Sequence, residues 1–216
     1  MSLFFPSDAA YFGSAPGDVC THGEAGQKRV ALTFDDGPHK EFTPLVLDVL
    51  KGENVKATFF IVGKNAELYP EIIDRILEQG CELGNHTYEH TYLKGLDKST
   101  QTREIDLCDD ELFYHSEYCT HLLRPPGGLY DDSVIEICSK RDYKIIIWSI
   151  DTRDWTGASE KDIEDEVMSK IDDGAIILMH DFNRPGSHTV DALKKIIPEI
   201  KQLGYSFVTV SELLDE

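Results

Sequence analysis

The chain has 216 residues, 41% of them hydrophobic and 28% charged, a composition that predicts one globular domain with its own core. Its 40 Asp and Glu residues outnumber its 21 Lys and Arg residues, and the formal charge of -19 would repel nucleic-acid phosphates and anionic lipid headgroups. No segment approaches the roughly 18 apolar residues of a membrane span, and residues 1–12 lack the pattern of a signal peptide.

Short apolar runs alternate with helical patterns along the chain. The apolar runs predict strands at residues 29–34, 57–62, 81–84, 122–124, 144–149, 175–179 and 206–208. Helical periodicity, with its start and stop residues, predicts helices at residues 44–52, 69–80, 98–116, 131–141, 160–171 and 189–203. Runs that are apolar throughout are typical of parallel strands covered by helices. The alternation therefore predicts an α/β fold of about seven β/α units.

Five polar clusters follow apolar runs, at the points where strands end and loops begin. They occupy residues 33–38, 86–90, 124–128, 151–155 and 178–181. A barrel and a doubly wound sheet both fit the alternation, but no glycine-rich nucleotide-binding loop follows any strand. Because a barrel brings the carboxyl ends of many strands together, we expect a closed or nearly closed barrel in a single domain.

Two of the clusters indicate a metal site. His86 and His90 are four residues apart, a spacing that puts both imidazoles on one face if the segment is helical. The pair alone is a weak signal, but a carboxylate from Asp35 or Asp36 completes a set of two histidines and one carboxylate. Adjacent residues leaving a strand point in different directions. One aspartate can therefore bind the metal while the other acts as a base.

The five cysteines do not form a recognisable metal or redox motif. None lies in a Cys-x-x-Cys spacing, and an odd number cannot pair completely within one chain. Cys81 and Cys138 are expected to be buried thiols. Cys20, Cys108 and Cys119 could include a disulfide if the protein is secreted.

Together the polar clusters resemble the five ordered motifs of the polysaccharide deacetylase family, which is the NodB-homology domain or carbohydrate esterase family 4. The resemblance spans residues 30–210 and divides the chain into an N-terminal extension, residues 1–22, and a NodB-homology domain, residues 23–216. Members of this family are distorted (β/α)7-type barrels that remove acetyl groups from N-acetylglucosamine polymers or from xylan. The resemblance therefore implies an α/β fold that is a distorted (β/α)7-8 TIM-like barrel. It also implies a metal-dependent polysaccharide deacetylase.

The resemblance also implies a reactive centre. Asp36, His86 and His90 would hold a divalent metal ion, with zinc expected and cobalt as the alternative. Asp35 would act as the general base, and His180 would act as the general acid that protonates the leaving amine. His180 on its own could equally be a histidine of the core, but its place at the end of an apolar strand favours the pocket.

Further residues would support this centre. By the same resemblance, Arg124 would pair with Asp35, and Asp154 would orient His180. Trp155 and Leu178 would line the pocket for the acetyl methyl group. Tyr130 is a candidate sugar contact, although packing in the core is its simpler interpretation.

One position departs from the family's pattern. Where the resembling enzymes usually carry Tyr in Arg-Pro-Pro-Tyr-Gly, this chain has Gly127. A backbone N–H to hold an oxyanion is retained at this position. The ring that would wall the sugar site is absent, and the loop is expected to be looser.

The expected substrate is chitin or a chitooligosaccharide, with peptidoglycan and acetylxylan as alternatives, and the expected location is extracellular or at the cell wall. The second hypothesis is a catalytically weak or silent domain that binds glycan or acts in cell-wall assembly. Non-haem iron oxygenases also use two histidines and a carboxylate. The additional Arg124, Asp154 and His180 argue against that third class.

Overall fold

A computed structural model of the protein describes residues 17–181 and 187–214. The strands are β1 (Val19–Cys20), β2 (Arg29–Asp35), β3 (Thr58–Ile61), β4 (Glu82–Asn85), β5 (Leu122–Leu123), β6 (Lys144–Ile146), β7 (Ile150–Asp151), β8 (Ile176–His180) and β9 (Ser206–Phe207). The helices are α1 (Phe42–Glu53), α2 (Gly63–Leu68), α3 (Pro70–Glu78), α4 (Lys98–Ser116), α5 (Asp132–Ser139), α6 (Glu160–Lys170), α7 (Thr189–Gln202) and α8 (Val210–Leu213).

The strands form one curled parallel sheet. Their order is β1-β6-β5-β4-β3-β2-β8-β7, and β9 pairs with β2. Every paired strand runs parallel to its neighbour. An isolated antiparallel bridge between His22 and Ala175 joins the chain after β1 to the residue before β8, so the two edges of the sheet approach each other. The predicted distorted (β/α)7-8 barrel is confirmed.

Side chains alternate strictly between the inside of the barrel and the helices outside it. In β2, Val30, Leu32 and Phe34 pack against the helices, whereas Ala31 faces the interior. Because strand side chains alternate with period two, Asp35 lies on the interior face at the carboxyl end of β2. The interior cluster contains Cys20, Ala31, Phe60, Leu122, Ile146, Ile176, Val210 and Leu213.

The amino ends of the strands are closed by α8. The backbone N–H of Val210 donates a hydrogen bond of 2.9 Å to the hydroxyl of Thr58, the first residue of β3. Val210 and Leu213 then fill the bottom of the interior cluster. The opposite mouth, where the strands end, is the side that carries the polar clusters.

The structure corrects four details of the predicted elements. The strand expected at residues 144–149 ends at Ile146, and β7 begins at Ile150. The short elements β1, α2 and α8 had not been predicted, because two to six residues are too few to show a periodic pattern. β1 lies inside the predicted N-terminal extension, whose residues 1–16 are outside the described part of the chain, and its boundary at residue 22 stays a prediction.

Cys81, Cys108, Cys119 and Cys138 are free thiols, so the disulfide considered among Cys20, Cys108 and Cys119 is not formed. Cys20 and Cys108 are fully buried, and Cys119 is exposed. Cys81 and Cys138 are buried, as predicted. Within the described residues, none of the helices combines the length and the apolar character needed to cross a bilayer.

The close packing inside the barrel can be tested at Gly84. A Cβ there would lie 2.4 Å from Cδ1 of Phe60, a fully buried ring. We expect Gly84→Ala to lower the free energy of unfolding by about 1–3 kcal/mol, measured by urea denaturation.

Gly52→Ala is the matched control, because a Cβ at Gly52 meets no atom of the described chain within 4 Å. Gly52 lies in α1, where Ala is a better helix former than Gly by up to about 1 kcal/mol. Equal stability of the two variants would contradict the packing described for the interior.

Candidate active site

The base candidate, Asp35, is held by a buried ion pair. The Nη1 group of Arg124 lies 2.7 Å from Oδ1 of Asp35 and donates a second hydrogen bond, of 2.8 Å, to the hydroxyl of Thr33. Nε of Arg124 donates to the carbonyl of Ile146. Arg124 is fully buried and Asp35 is 3% exposed. The predicted contact between these two residues is therefore present, and it fixes the direction of the carboxylate.

The guanidinium of Arg124 also rests on apolar rings. Its central carbon lies 4.0 Å from the ring centroid of Phe60 and 5.7 Å from that of Trp148. A guanidinium at such distances is attracted by the ring faces. Arg124 therefore forms the boundary between the apolar interior of the barrel and the polar mouth.

His86 is fixed in the tautomer that suits a metal ligand. Its Nδ1 lies 2.6 Å from the carbonyl oxygen of Arg124. Because a carbonyl can only accept, Nδ1 carries a proton, and in the neutral imidazole the lone pair is therefore on Nε2. This arrangement is the usual support of a metal-binding histidine.

Asp36, His86 and His90 are brought together as predicted. Oδ1 of Asp36 lies 3.4 Å from Nε2 of His86 and 3.1 Å from Nε2 of His90, and the three donor atoms all lie within 4.8 Å of one another. Burial opposes the charge on Asp36, but the neighbouring histidines outweigh burial and hold its pKa well below the usual range. The nearby Asp36 carboxylate, in turn, raises the pKa of His90.

These residues fit a divalent metal ion. Oδ1 of Asp36 is buried, yet within the described part of the chain it accepts no hydrogen bond of good geometry. A buried oxygen without a donor is costly unless a cation binds it. One carboxylate oxygen and two imidazole nitrogens are also ligands that zinc and similar ions accept, with positions left for water and substrate.

The loop that carries the two histidines is not helical, in contrast to the geometry considered from their spacing. β4 ends at Asn85, and Thr87 and His90 have positive φ angles of 67° and 57°. Asp36 is also left-handed, with a φ of 76°. Such conformations cost non-glycine residues about 1–3 kcal/mol each and persist where surrounding contacts impose them. Two of the three metal-ligand candidates are therefore held in strained positions.

Residues of α4 impose the shape of the histidine loop. Asn85 donates to the carbonyl of Ile105 and to the carboxylate of Asp109, and its own side-chain oxygen accepts from the N–H of Thr87. The carboxylate of Glu104, which also lies on α4, accepts a hydrogen bond from the backbone N–H of Glu89. None of these supporting residues was identified from the sequence, because their partners are far away along the chain.

The Asp36 turn has its own supports. The side-chain amide of Asn65, on α2, donates a hydrogen bond of 2.8 Å to the carbonyl of Asp36. Asp181 is buried beside Gly37, where an added Cβ would lie 2.2 Å from its carboxylate, and it accepts a hydrogen bond of 2.6 Å from Thr43. Burial raises the pKa of Asp181 to about 7. Asp181 lies in the fifth polar cluster, but its contact with Thr43 was not predicted from the sequence.

His180 and Asp154 form the predicted pair. Nδ1 of His180 lies 2.8 Å from Oδ1 of Asp154, and the backbone N–H of His180 donates to Oδ2. Burial alone would lower the pKa of His180, but Asp154, with the charges of Asp35 and Asp36, raises it to about 9. His180 is therefore protonated at neutral pH. With Nδ1 engaged, exchange of a proton with a substrate would pass through Nε2.

The remaining predicted residues occupy different surroundings. Leu178 is 3% exposed and Trp155 is 56% exposed. Tyr130 packs on the outer cluster with Leu93, Ile105 and Val134, in line with the core interpretation of its ring. Gly127 has a φ of 65°, within the short turn Pro126–Gly128. The roles predicted for these four residues stay predictions.

Comparisons with known proteins identify similar sequences. The family model for polysaccharide deacetylase matches residues 22–146. A peptidoglycan-N-acetylglucosamine deacetylase from Bacillus cereus is 41% identical over 194 residues, which cover 88% of this chain and 70% of that protein. A chitooligosaccharide deacetylase from Sinorhizobium fredii is 34% identical over 191 residues, covering 83% of this chain and 89% of the relative.

Solved structures show the same likeness. A peptidoglycan N-acetylglucosamine deacetylase has a TM-score of 0.87 at 38% identity, with 92% of each chain covered. A CE4 family pseudoenzyme from Bacillus anthracis has a TM-score of 0.86 at 31% identity, covering 93% of this chain and 70% of the other. A family 4 acetyl xylan esterase from Clostridium thermocellum, solved with a cobalt ion, has a TM-score of 0.81 at 31% identity. The match covers 87% of this chain and 91% of the esterase.

Loss of the buried ion pair should destabilise the protein. Arg124→Met leaves the nearly buried charge of Asp35 without its partner, so we expect the free energy of unfolding at pH 7 to fall by about 3–5 kcal/mol. The measurement is urea denaturation in the presence of a chelator. The double variant Arg124→Met/Asp35→Asn removes the unpaired charge and should recover part of the loss. No recovery would show that the ion pair is not the source of the effect.

The charge on His180 should depend on Asp154. In Asp154→Asn the hydrogen-bonding shape remains but the negative charge is lost, so the pKa of His180 should fall from about 9 toward its ordinary value, followed by NMR titration. Because the pKa of His180 is higher in the folded protein than in the unfolded chain, its protonation adds to the free energy of unfolding. This contribution is complete below pH 6.5 and is lost as the pH rises through 9. The stability difference between wild type and variant should therefore shrink across that window. An unchanged pKa of His180 would contradict this assignment.

Proposed function

Because the chain belongs to the polysaccharide deacetylase family, we propose that it is a metal-dependent hydrolase that removes N-acetyl groups from N-acetylglucosamine residues of a polysaccharide. The observation that carries the proposal is the convergence of two functional units at one mouth of the barrel. Asp36, His86 and His90 form a site that fits a metal ion, while Asp35 and His180 lie side by side as paired residues of β2 and β8.

Asp35 and His180 divide the proton transfers of amide hydrolysis between them. Asp35, directed by Arg124, accepts a proton from the attacking water. A divalent ion in the adjacent site would act as a Lewis acid on the acetyl carbonyl and would lower the pKa of water in contact with it. His180, protonated at neutral pH because its pKa is about 9, gives its proton to the nitrogen of the leaving amine. The N–H of Gly127 is proposed to donate to the oxyanion.

The pKa of His180 favours an amide over an ester as the substrate. An amine must be protonated as the carbon–nitrogen bond breaks, whereas an alcohol is a better leaving group and depends less on an acid. A histidine with a pKa of about 9 is a ready proton donor at neutral pH. We therefore place acetylxylan behind the N-acetylated polymers.

Between those polymers, we propose peptidoglycan ahead of chitin, which reverses the order expected from the sequence alone. The relative that acts on peptidoglycan is 41% identical, and the relative named for chitooligosaccharide is 34% identical. Both polymers contain N-acetylglucosamine, so the reaction at the acetyl group is the same. A peptidoglycan substrate implies that the protein acts at the cell wall. Zinc is the proposed metal, with cobalt as the alternative because a similar structure holds cobalt.

A silent glycan-binding domain is the second candidate. It is favoured by the likeness to a pseudoenzyme of the same family and by Gly127 in place of the usual tyrosine. The complete set of Asp35, Asp36, His86, His90 and His180, with the distances given above, favours the enzyme.

The test is acetate release by zinc-loaded or cobalt-loaded protein from peptidoglycan, N-acetylglucosamine oligomers and acetylxylan. We expect release from the first two substrates, abolished by chelation. Asp35→Asn should lower the rate at least about 10²-fold, as expected for loss of a general base. Asp110→Asn is the matched control, because Asp110 is an exposed residue of α4, and it should keep full activity.

If protein that carries one metal ion per chain binds glycan but releases no acetate, the silent glycan-binding domain replaces the enzyme as the proposed function. Release that persists in Asp35→Asn would contradict the role of Asp35 as the base. Faster release from acetylxylan than from either amide substrate would overturn the proposed order of substrates.

A further inference from the structure

Tyr92 forms part of the rim of the candidate metal site. It follows His90 by two residues, and its ring packs edge-on against the His90 imidazole, with centroids 5.8 Å apart and an interplanar angle of 71°. The side chain is 55% exposed. A large aromatic side chain with half its surface in water contributes little to the core, whereas such rings commonly line ligand sites.

The space that Tyr92 occupies is created by Gly127. A Cβ at Gly127 would lie 2.8 Å from Cε1 of Tyr92 and 3.8 Å from Cγ of Leu129. The ring of Tyr92 therefore covers Gly127 at van der Waals distance, where a larger residue would collide with it. Leu129, 38% exposed, continues the apolar surface beyond the glycine. The absence of a side chain at position 127 and the presence of the ring at position 92 fit each other.

This surface meets the position where a substrate would bind. The His90 imidazole joins Tyr92 to Asp36 and His86, since His90 contacts the ring on one side and Asp36 on the other. Any acetylated sugar whose acetyl oxygen approaches the open positions of the metal site must extend from these residues over the rim. A half-exposed tyrosine ring at the rim offers the flat apolar face that packs against the carbon–hydrogen face of a sugar ring.

We propose that Tyr92 is a substrate-contacting residue that walls the sugar site, packing its ring against the N-acetylglucosamine unit that is deacetylated. The proposal rests on the proposed function, because it takes the ligand to be an N-acetylated glycan. It assigns to position 92 the aromatic wall that position 127 does not supply.

The test compares Tyr92→Ala, Tyr92→Phe and Tyr114→Ala in zinc-loaded protein. Tyr114 is a matched control because it is another surface tyrosine, 81% exposed. It lies near the end of α4, which runs from the histidine loop back toward the amino end of β5, at the far side of the barrel. KM and kcat are measured for N-acetylglucosamine tetramer, together with the metal content of each variant. The affinity for that tetramer is measured by calorimetry for each variant combined with Asp35→Asn, which slows its hydrolysis.

We expect Tyr92→Ala to raise KM and to weaken tetramer binding by about tenfold, with a much smaller change in kcat, because a stacking contact binds the ground state and the transition state alike. Tyr92→Phe keeps the ring and should stay close to wild type. Tyr114→Ala should match wild type. Metal content should be the same in all variants, since Tyr92 is not a ligand.

Several outcomes would overturn the proposal, and they separate it from the proposed function. An active wild type with unchanged KM and binding in Tyr92→Ala refutes the role of Tyr92 alone. An equal loss in Tyr92→Phe assigns the effect to the hydroxyl rather than to the ring. Loss of metal in Tyr92→Ala shows that the ring only positions His90. A wild type that neither binds nor deacetylates the tetramer or peptidoglycan refutes both proposals together.

Discussion

The buried ion pair between Arg124 and Asp35 organises the whole mouth of the barrel. The side chain of Arg124 directs the carboxylate of Asp35, and its backbone carbonyl fixes the tautomer of His86. One residue therefore orients both the proposed base and a proposed metal ligand. A charged pair at this depth is costly unless its geometry is well satisfied. Thr33, Ile146 and the Phe60 ring contact the guanidinium from three strands of the sheet, while its buried Nη2 has no hydrogen-bond partner within the described residues.

The environments around the titratable groups drive their pKa values in opposite directions. Asp36 is held ionised by the histidines that surround it, whereas His180 is held protonated by Asp154 and by the negative charges facing it. This separation of pKa values places an ionised carboxylate, suited to a cation, in the same site as a protonated imidazole, suited to donate a proton. Among the groups that raise the pKa of His180, the largest contribution comes from Asp154, which is not one of the metal-ligand candidates.

Much of this arrangement follows from local rules, and the remainder depends on distant contacts. Alternation along a strand is enough to place Asp35 and His180 on the inner face, since both end apolar strands whose other residues show which side is buried. The path of the histidine loop is not local. Its left-handed residues are held by two hydrogen bonds, from the N–H of Thr87 to the side chain of Asn85 and from the N–H of Glu89 to the carboxylate of Glu104 on α4. Spacing alone suggested a helix. The hydrogen bond between Asp181 and Thr43 could not be predicted for the same reason, since the two residues are 138 positions apart.

At position 127, the atoms that occupy the space around the residue are more informative than the residue type alone. The atom needed from this residue for chemistry is a backbone N–H, which any residue except proline supplies. A ring at position 127 would serve contact with the sugar, and a ring that arrives from position 92 reaches the same space. Glycine instead of tyrosine at position 127 therefore changes which residue would contact the substrate, and it leaves the charged groups of the site unchanged. The residues proposed to bind a metal ion or to move a proton, Asp35, Asp36, His86, His90 and His180, keep their places around this position.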